Sequence, residues 1–122
     1  TGSALADASE IAALSNTFKH YEATTNSLIG SIKPNIGHLE AASGLSQITK
    51  VLLQLKHRRL APSINYEPIN PLLQLETSPF TIVHDQQDWV ATRDEHGVIQ
   101  PRRALINAFG ATGSGGCVII EE

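Results

Sequence analysis

At 122 residues, with 41% apolar and 17% charged residues, the chain has the composition of a globular domain with room for one core, and it is not disordered. No apolar run approaches the roughly 20 residues of a membrane span. A net charge of -3 and a pI near 5.9 offer no field for a nucleic-acid backbone, Lys56, His57, Arg58 and Arg59 forming one local basic cluster. The single cysteine, Cys117, cannot form an internal disulfide. No charged-then-apolar leader opens the chain, so a reducing cytoplasm is expected. The opening Thr1-Gly2-Ser3, without an initiating Met, reads as a processed chain or a piece of something longer.

In chain order, Asp7 followed by Glu10 resembles a capping box, and Ile11, Leu14, Phe18 and Tyr21 then recur at helical spacing, which predicts a helix over residues 7–20. A polar stretch over 22–27 ends it. Residues 28–32 alternate as a short strand does, and Pro34 is expected to stop regular structure and to bias Lys33 away from helix. The clearest helix follows: Ala41, Leu45, Ile48, Leu52 and Leu55 form an apolar stripe, with Ser43, Gln47, Lys50 and Gln54 on the opposite, polar face. Glu40 near its start and the basic cluster at its end complement the helix dipole. The stripe is read as packing surface.

From Leu60 onward Pro62, Pro68, Pro71 and Pro79 punctuate an irregular excursion, with short strands expected at 60–64 and 80–83. The polar stretch 85–100, containing Asp94, Glu95, His96 and Gly97, reads as a surface loop or turn. Residues 104–109 and 117–120 are strand-like, and the glycine-rich 110–116 reads as the turn between them. Helices interleaved with apolar strands place the fold in the α/β class.

The chemistry concentrates between a strand and a helix, where Lys33, Asn35, His38 and Glu40 bring a cation, an amide, an imidazole and a carboxylate together. A neutral imidazole donates one N–H and can steady negative charge on a neighbouring oxygen; a lysine close to a glutamate stays protonated and adds a positive field. The same residues also read as a surface ion pair, Lys33 with Glu40, beside a turn histidine. Residue chemistry alone leaves both readings open. The five histidines, at 20, 38, 57, 84 and 96, form no ligand-like cluster, so no metal site is expected.

The segment 30–44 resembles the signature of β-ketoacyl synthases, in which a lysine, an asparagine and a histidine precede a glutamate and a small-residue helix. Residues 1–10 resemble the segment after that family's other catalytic histidine. Leu60-Ala61-Pro62-Ser63-Ile64-Asn65, Asn70-Pro71 and Ser78-Pro79-Phe80 resemble the downstream part of modular polyketide synthase ketosynthases, and Ile106-Asn107-Ala108-Phe109-Gly110 resembles the closing strand and turn. Four matches in the right order cover essentially the entire chain.

The resemblance implies the C-terminal half of a thiolase-like fold, a mixed β-sheet layered with helices, incomplete at its N-terminus. It implies part of an enzyme that moves an acyl group from an acyl carrier protein onto a cysteine and condenses it with a carrier-bound malonyl unit. By that resemblance His38 is the second of two catalytic histidines, Lys33 the pocket lysine, Glu40 its carboxylate partner, Asn35 a supporting residue and Phe109 the gate of the acyl pocket. The implied partners are an N-terminal ketosynthase half carrying the nucleophilic cysteine, an acyl carrier protein whose phosphopantetheine arm is the only cofactor, and a second copy in a homodimer of the complete domain. No nucleic acid and no membrane are expected.

The departures are equally specific. The family's nucleophile and first histidine lie outside this sequence, and Cys117, read as a small packed hydrophobe, cannot replace the nucleophile. Ala6, Ala8 and Ser9 stand where the family has Gly, Pro and Ile, and Ser114-Gly115-Gly116-Cys117 where it has Thr-Asn-Ala-His. Two further readings follow: a degenerate, noncatalytic ketosynthase-like module that acts as a scaffold or carrier-docking element, and a stand-alone binding domain. The second needs a closed apolar surface where a further half would otherwise pack.

Overall fold

The computed structural model describes residues 2–20, 26–110 and 113–122. The elements run α1 (Ala4–His20), β1 (Ser27–Ile29), α2 (Lys33–Ile36), a 3-10 turn (Glu40–Ala42), α3 (Ser43–His57), β2 (Arg59–Leu60), 3-10 turns at Pro71–Leu73 and Leu75–Thr77, β3 (Phe80–Ile82), β4 (Gln87–Asp88), β5 (Arg103–Phe109) and β6 (Gly115–Glu121). They form two compact units, Thr1–Gly30 with Pro62–His84 and Ser31–Ala61 with Asp85–Glu122.

In the first unit β1 and β3 pair in parallel, Ser27 with Phe80 and Ile29 with Ile82, a register that requires the long crossover between them. The Val83 N–H donates to Ile29 O at 3.1 Å and the Ser63 N–H to Val83 O at 2.9 Å, so the pairing runs past the strand ends. Phe80 and Val83 are buried. Phe18 of α1 meets Phe80 edge-on, with centroids 5.1 Å apart, which joins the helix to the strand pair by the geometry aromatic rings prefer.

Helix α1 begins at Ala4, three residues before the expected start at Asp7. The Ser3 hydroxyl accepts from the Ala6 N–H at 3.5 Å and the Asp7 carboxylate accepts from the Gly2 N–H at 3.1 Å. Asp7 therefore acts inside the first turn, reaching back to an earlier amide, and does not cap the helix itself. Tyr21, residues 22–25 of the polar stretch, and Ala111 and Thr112 of the glycine-rich turn lie outside the described residues.

In the second unit β5 and β6 pair antiparallel from Arg103–Glu121 to Phe109–Gly115 and α3 lies against β5. An added Cβ on Gly44 would stand 3.5 Å from Ala108 Cβ, so the first turn of α3 meets the far end of β5 at close range. Leu55, Leu60 and Ile106 are buried.

The covered side of α3 only partly matches the expected stripe: Leu55 is buried and Ile48 half-buried, but the cover extends onto the polar face. Leu45 is 68% exposed and Leu52 51%, although both belong to the apolar stripe. Ser43 is buried, while Gln47, Lys50 and Gln54 are half-buried. The polar side chains are tolerated there because they satisfy backbone groups: Gln54 Oε1 accepts from the Ala61 N–H at 2.7 Å and Lys50 Nζ donates to Ser31 O at 2.9 Å. Polar residues on a helix thus serve as clamps within the chain, and the apolar stripe is left partly open.

The expected loop at 85–100 is more ordered than its polarity suggests. Gln87–Asp88 pairs with Arg59–Leu60, and Arg93 bridges to Ile99 around a turn. Asp94 Oδ1 accepts from the N–H groups of His96 and Val98 at 3.0 and 2.9 Å, so one carboxylate organises the turn. Conversely, the strand expected at 60–64 is confined to Arg59–Leu60, since Pro62 lacks the donor needed to continue it.

Glu122 ties this unit together at its end, accepting from Arg58 at 3.2 Å and from Arg102, whose Nε also donates to Trp89 O. The hydrogen bond from Arg102 holds the Glu122 carboxyl below its usual range near 4.5, aided by the charges of Arg102 and Arg58 and opposed by desolvation. A depressed carboxylate stabilises the fold above its unfolded value, and that contribution is lost as pH falls through its folded value. Resistance to urea of the protein containing this chain is expected to weaken as pH drops below about 4.5, with a shallower acid slope in Glu122→Gln; parallel profiles would refute the contribution.

Candidate active site

The segment from Ser31 to Ser43 is a chain of short turns. Helix α2 forms across Pro34, contrary to the expectation that proline ends regular structure there, because a proline in the first helical turn gives up an N–H that has no partner in any case. The Ser31 hydroxyl accepts from the Lys33 N–H at 3.1 Å and starts this turn; the Asn35 N–H donates to Ile32 O at 3.0 Å and the Gly37 N–H to Lys33 O at 2.8 Å. Gly37 leaves the turn with φ 78° and ψ 179°, a conformation open in practice only to glycine.

His38 follows. Its Nδ1 accepts from the Glu40 backbone N–H at 3.2 Å, so in the neutral imidazole the proton sits on Nε2. Glu40 itself adopts the left-handed region, φ 48°, at a cost of about 1–2 kcal/mol for a residue with a Cβ. The backbone amide that Glu40 gives to His38 is delivered by this turn, and the Ala42 N–H then donates to Leu39 O at 2.9 Å as the chain enters α3. Backbone strain and imidazole tautomer are therefore set by the same three residues.

Lys33 is half-buried, and Asn35, His38 and Glu40 are exposed. The ion pairs among the described residues include neither Lys33 nor Glu40, so the two are not partners in this chain. Glu40 enters the local structure through its backbone amide on His38 Nδ1, not through its carboxylate.

Phe109 ends β5, one residue after the Ala108 that meets Gly44, so the second unit brings the gate candidate to the end of α3 that the His38 segment enters. Its ring lies over Gly115 across the strand pair: a Cβ there would stand 2.8 Å from Cδ1. Cys117 is exposed on β6 opposite Asn107, not packed inside as its neighbours Val118 and Ile119 suggested. Among the described residues no group of three or more His, Cys, Asp or Glu side chains could hold a metal, and no helix is long and apolar enough to cross a membrane.

The sequence reading gave Ser31 and Lys50 no part in holding the His38 loop. A serine before a proline-containing turn was the available signal for the first; Lys50 had none, since a lysine on the polar face of an amphipathic helix has the pattern of a solvated side chain.

A family model described as the β-ketoacyl synthase C-terminal domain matches residues 1–67. Polyketide synthases PksR and PksL of Bacillus subtilis are 49% and 44% identical to the chain over 126 residues, covering 99% and 100% of it. The chain belongs to the β-ketoacyl synthase family. Among solved structures, the oxazolomycin ketosynthase domain OzmH KS7 of Streptomyces albus JA3453 superposes with a TM-score of 0.95 at 44% identity over the full chain. The ketosynthase from module 6 of the Bacillus subtilis bacillaene synthase gives 0.86 at 36% identity. The fold is therefore the α/β, thiolase-like fold of polyketide synthase ketosynthases. The chain spans 21% of each of these solved ketosynthases and 5% and 3% of the two synthases.

Replacing Gly115 by Ala is expected to force the Phe109 ring off the strand pair and to destabilise the ketosynthase by about 1–3 kcal/mol. In a double-mutant cycle with Phe109→Ala, read by urea unfolding, that penalty should vanish; a penalty independent of Phe109 would place the conflict elsewhere.

Proposed function

We propose that the chain is the C-terminal half of a polyketide synthase ketosynthase that carries out decarboxylative Claisen condensation, with the nucleophilic cysteine supplied by an N-terminal half. The observation that carries this reading is the Glu40 amide on His38 Nδ1, which leaves Nε2–H as a fixed donor. Loss of CO2 from a malonyl thioester leaves the bonding electron pair on the α-carbon, delocalised onto the thioester oxygen as an enolate. His38 Nε2–H donates to that oxygen. The carbon then attacks the acyl thioester carbonyl, and the tetrahedral intermediate expels the cysteine thiolate. A donor held in place before the reaction stabilises such charge without reorganising, and enclosure by the other half would strengthen it further.

Lys33 contributes positive potential to the same pocket, Asn35 and Glu40 hold the turn that presents His38, and Phe109 gates the acyl pocket. The partners in this reading are the N-terminal half, a second copy in a homodimer, and an acyl carrier protein whose phosphopantetheine arm delivers the malonyl unit in the cytoplasm. The open apolar face of α3, with Leu45 and Leu52, supports a missing half that packs against it.

The scaffold reading draws its support from Ser114-Gly115-Gly116-Cys117, the run that departs from the family pattern. A condensation assay on the complete ketosynthase domain containing this chain, read by mass spectrometry of the carrier-bound product, separates the two. His38→Ala is expected to lower turnover by about 10²–10³-fold with little change in folding. No product from the intact domain, with carrier binding retained, would favour the scaffold.

A further inference from the structure

Lys50 stands on α3 and reaches back nineteen positions in sequence, its Nζ donating to Ser31 O at 2.9 Å. It forms no ion pair among the described residues. Burial lowers its pKa, so the fold keeps a partly desolvated cation on a single backbone carbonyl with no carboxylate to offset the cost. Ser31 is the residue on which the segment is hung: its hydroxyl accepts the Lys33 N–H, Lys33 O accepts the Gly37 N–H, and beyond Gly37 the Glu40 amide holds His38.

We propose that Lys50 is a positioning residue for His38, acting as a tether that closes the neck of the loop between Ser31 and the start of α3. One end of this loop is continuous with α3 at Ser43, and the other is fixed to the same helix by the Lys50 hydrogen bond. A loop tied at both ends to one rigid element has fewer conformations, and the entropy of ordering its turns is reduced accordingly. Because the bond is charge-assisted and made to a backbone carbonyl, it fixes the path of the chain whatever side chain occupies position 31. Displacement of a catalytic donor by about 1 Å costs on the order of 10²-fold in rate, which gives such a tether a kinetic consequence. This role deepens the condensation reading and rests on it.

The test uses the complete ketosynthase domain with Lys50→Met, which keeps length and helix propensity but removes the donors, and Lys50→Arg, which restores donors. Hydrogen exchange is read at the amides of Asn35, Gly37 and Glu40, with those of Leu52 and Leu55 on α3 as reference. Lys50→Met is expected to speed exchange at the first three by about tenfold or more with the reference unchanged, and to lower kcat by about 10–100-fold at an unchanged KM for the malonyl carrier. Lys50→Arg is expected to recover protection and rate in part. Unchanged exchange across 35–40, or an equal rise along α3, would overturn the tether. His38→Ala is run beside them: full activity in that variant would overturn the condensation reading, while the exchange pattern of Lys50→Met would still decide whether the tether exists.

Discussion

The approach of α3 to β5 is the contact on which the second unit depends. Gly44 meets Ala108 with no side chain between them, and this sets the first turn of α3 beside the last residues of β5. The loop carrying His38 runs into that helix turn, and Phe109 is the next residue along that strand. Two parts of the candidate site, about seventy positions apart in the sequence, are thus held by one pair of small residues. Larger groups at the crossing would widen the spacing between helix and strand and separate the two parts.

Within each unit, polar side chains do work that apolar packing cannot. Gln54 and Lys50 each satisfy a backbone group on a neighbouring segment, and Asp94, Asn70 and Ser31 do the same for turns: Asn70 Oδ1 accepts from the Leu72 N–H at 3.0 Å and Asn70 Nδ2 donates to Ala4 O at 2.9 Å. Irregular segments expose many backbone groups that no strand or helix partner satisfies, so their shape depends on such donors and acceptors. The His38 loop is the extreme case. It has no long element of its own, and its conformation follows from Ser31, Gly37, the left-handed Glu40 and the imidazole.

Buried apolar side chains among the described residues are few, Phe80 and Val83 in one unit and Leu55, Leu60 and Ile106 in the other, while Leu45, Ile119 and Phe109 are more than half exposed. Helix α3, with polar side chains clamped internally and Leu45 and Leu52 left exposed, has two contact surfaces. The chain amounts to about a fifth of the solved ketosynthases that it resembles, which accords with an apolar surface it does not cover itself. His38 and Asn35 are exposed in this chain as well.

Much of this was legible in the residues. Helical spacing located α1 and α3, alternation and glycine punctuation located β5 and β6, and the motif from Gly30 to Gly44 carried the family. The sequence by itself determined where the chain's long elements lie and which fold class results, and it named the candidates for chemistry, because these follow from spacing, backbone freedom and side-chain type. It misplaced what depends on neighbours: Pro34 sits inside a helical turn, Gln87–Asp88 within the expected surface stretch pairs with Arg59–Leu60, Lys33 and Glu40 do not pair, and the cover of α3 extends from Leu55 onto its polar face. Only the tertiary structure decided those, along with the tautomer of His38 and the reach of Lys50 to Ser31. Some are contacts between segments distant in sequence, such as the reach of Lys50; others, such as the Pro34 turn and the His38 tautomer, are local hydrogen bonds and backbone angles, and periodicity carries no information about either.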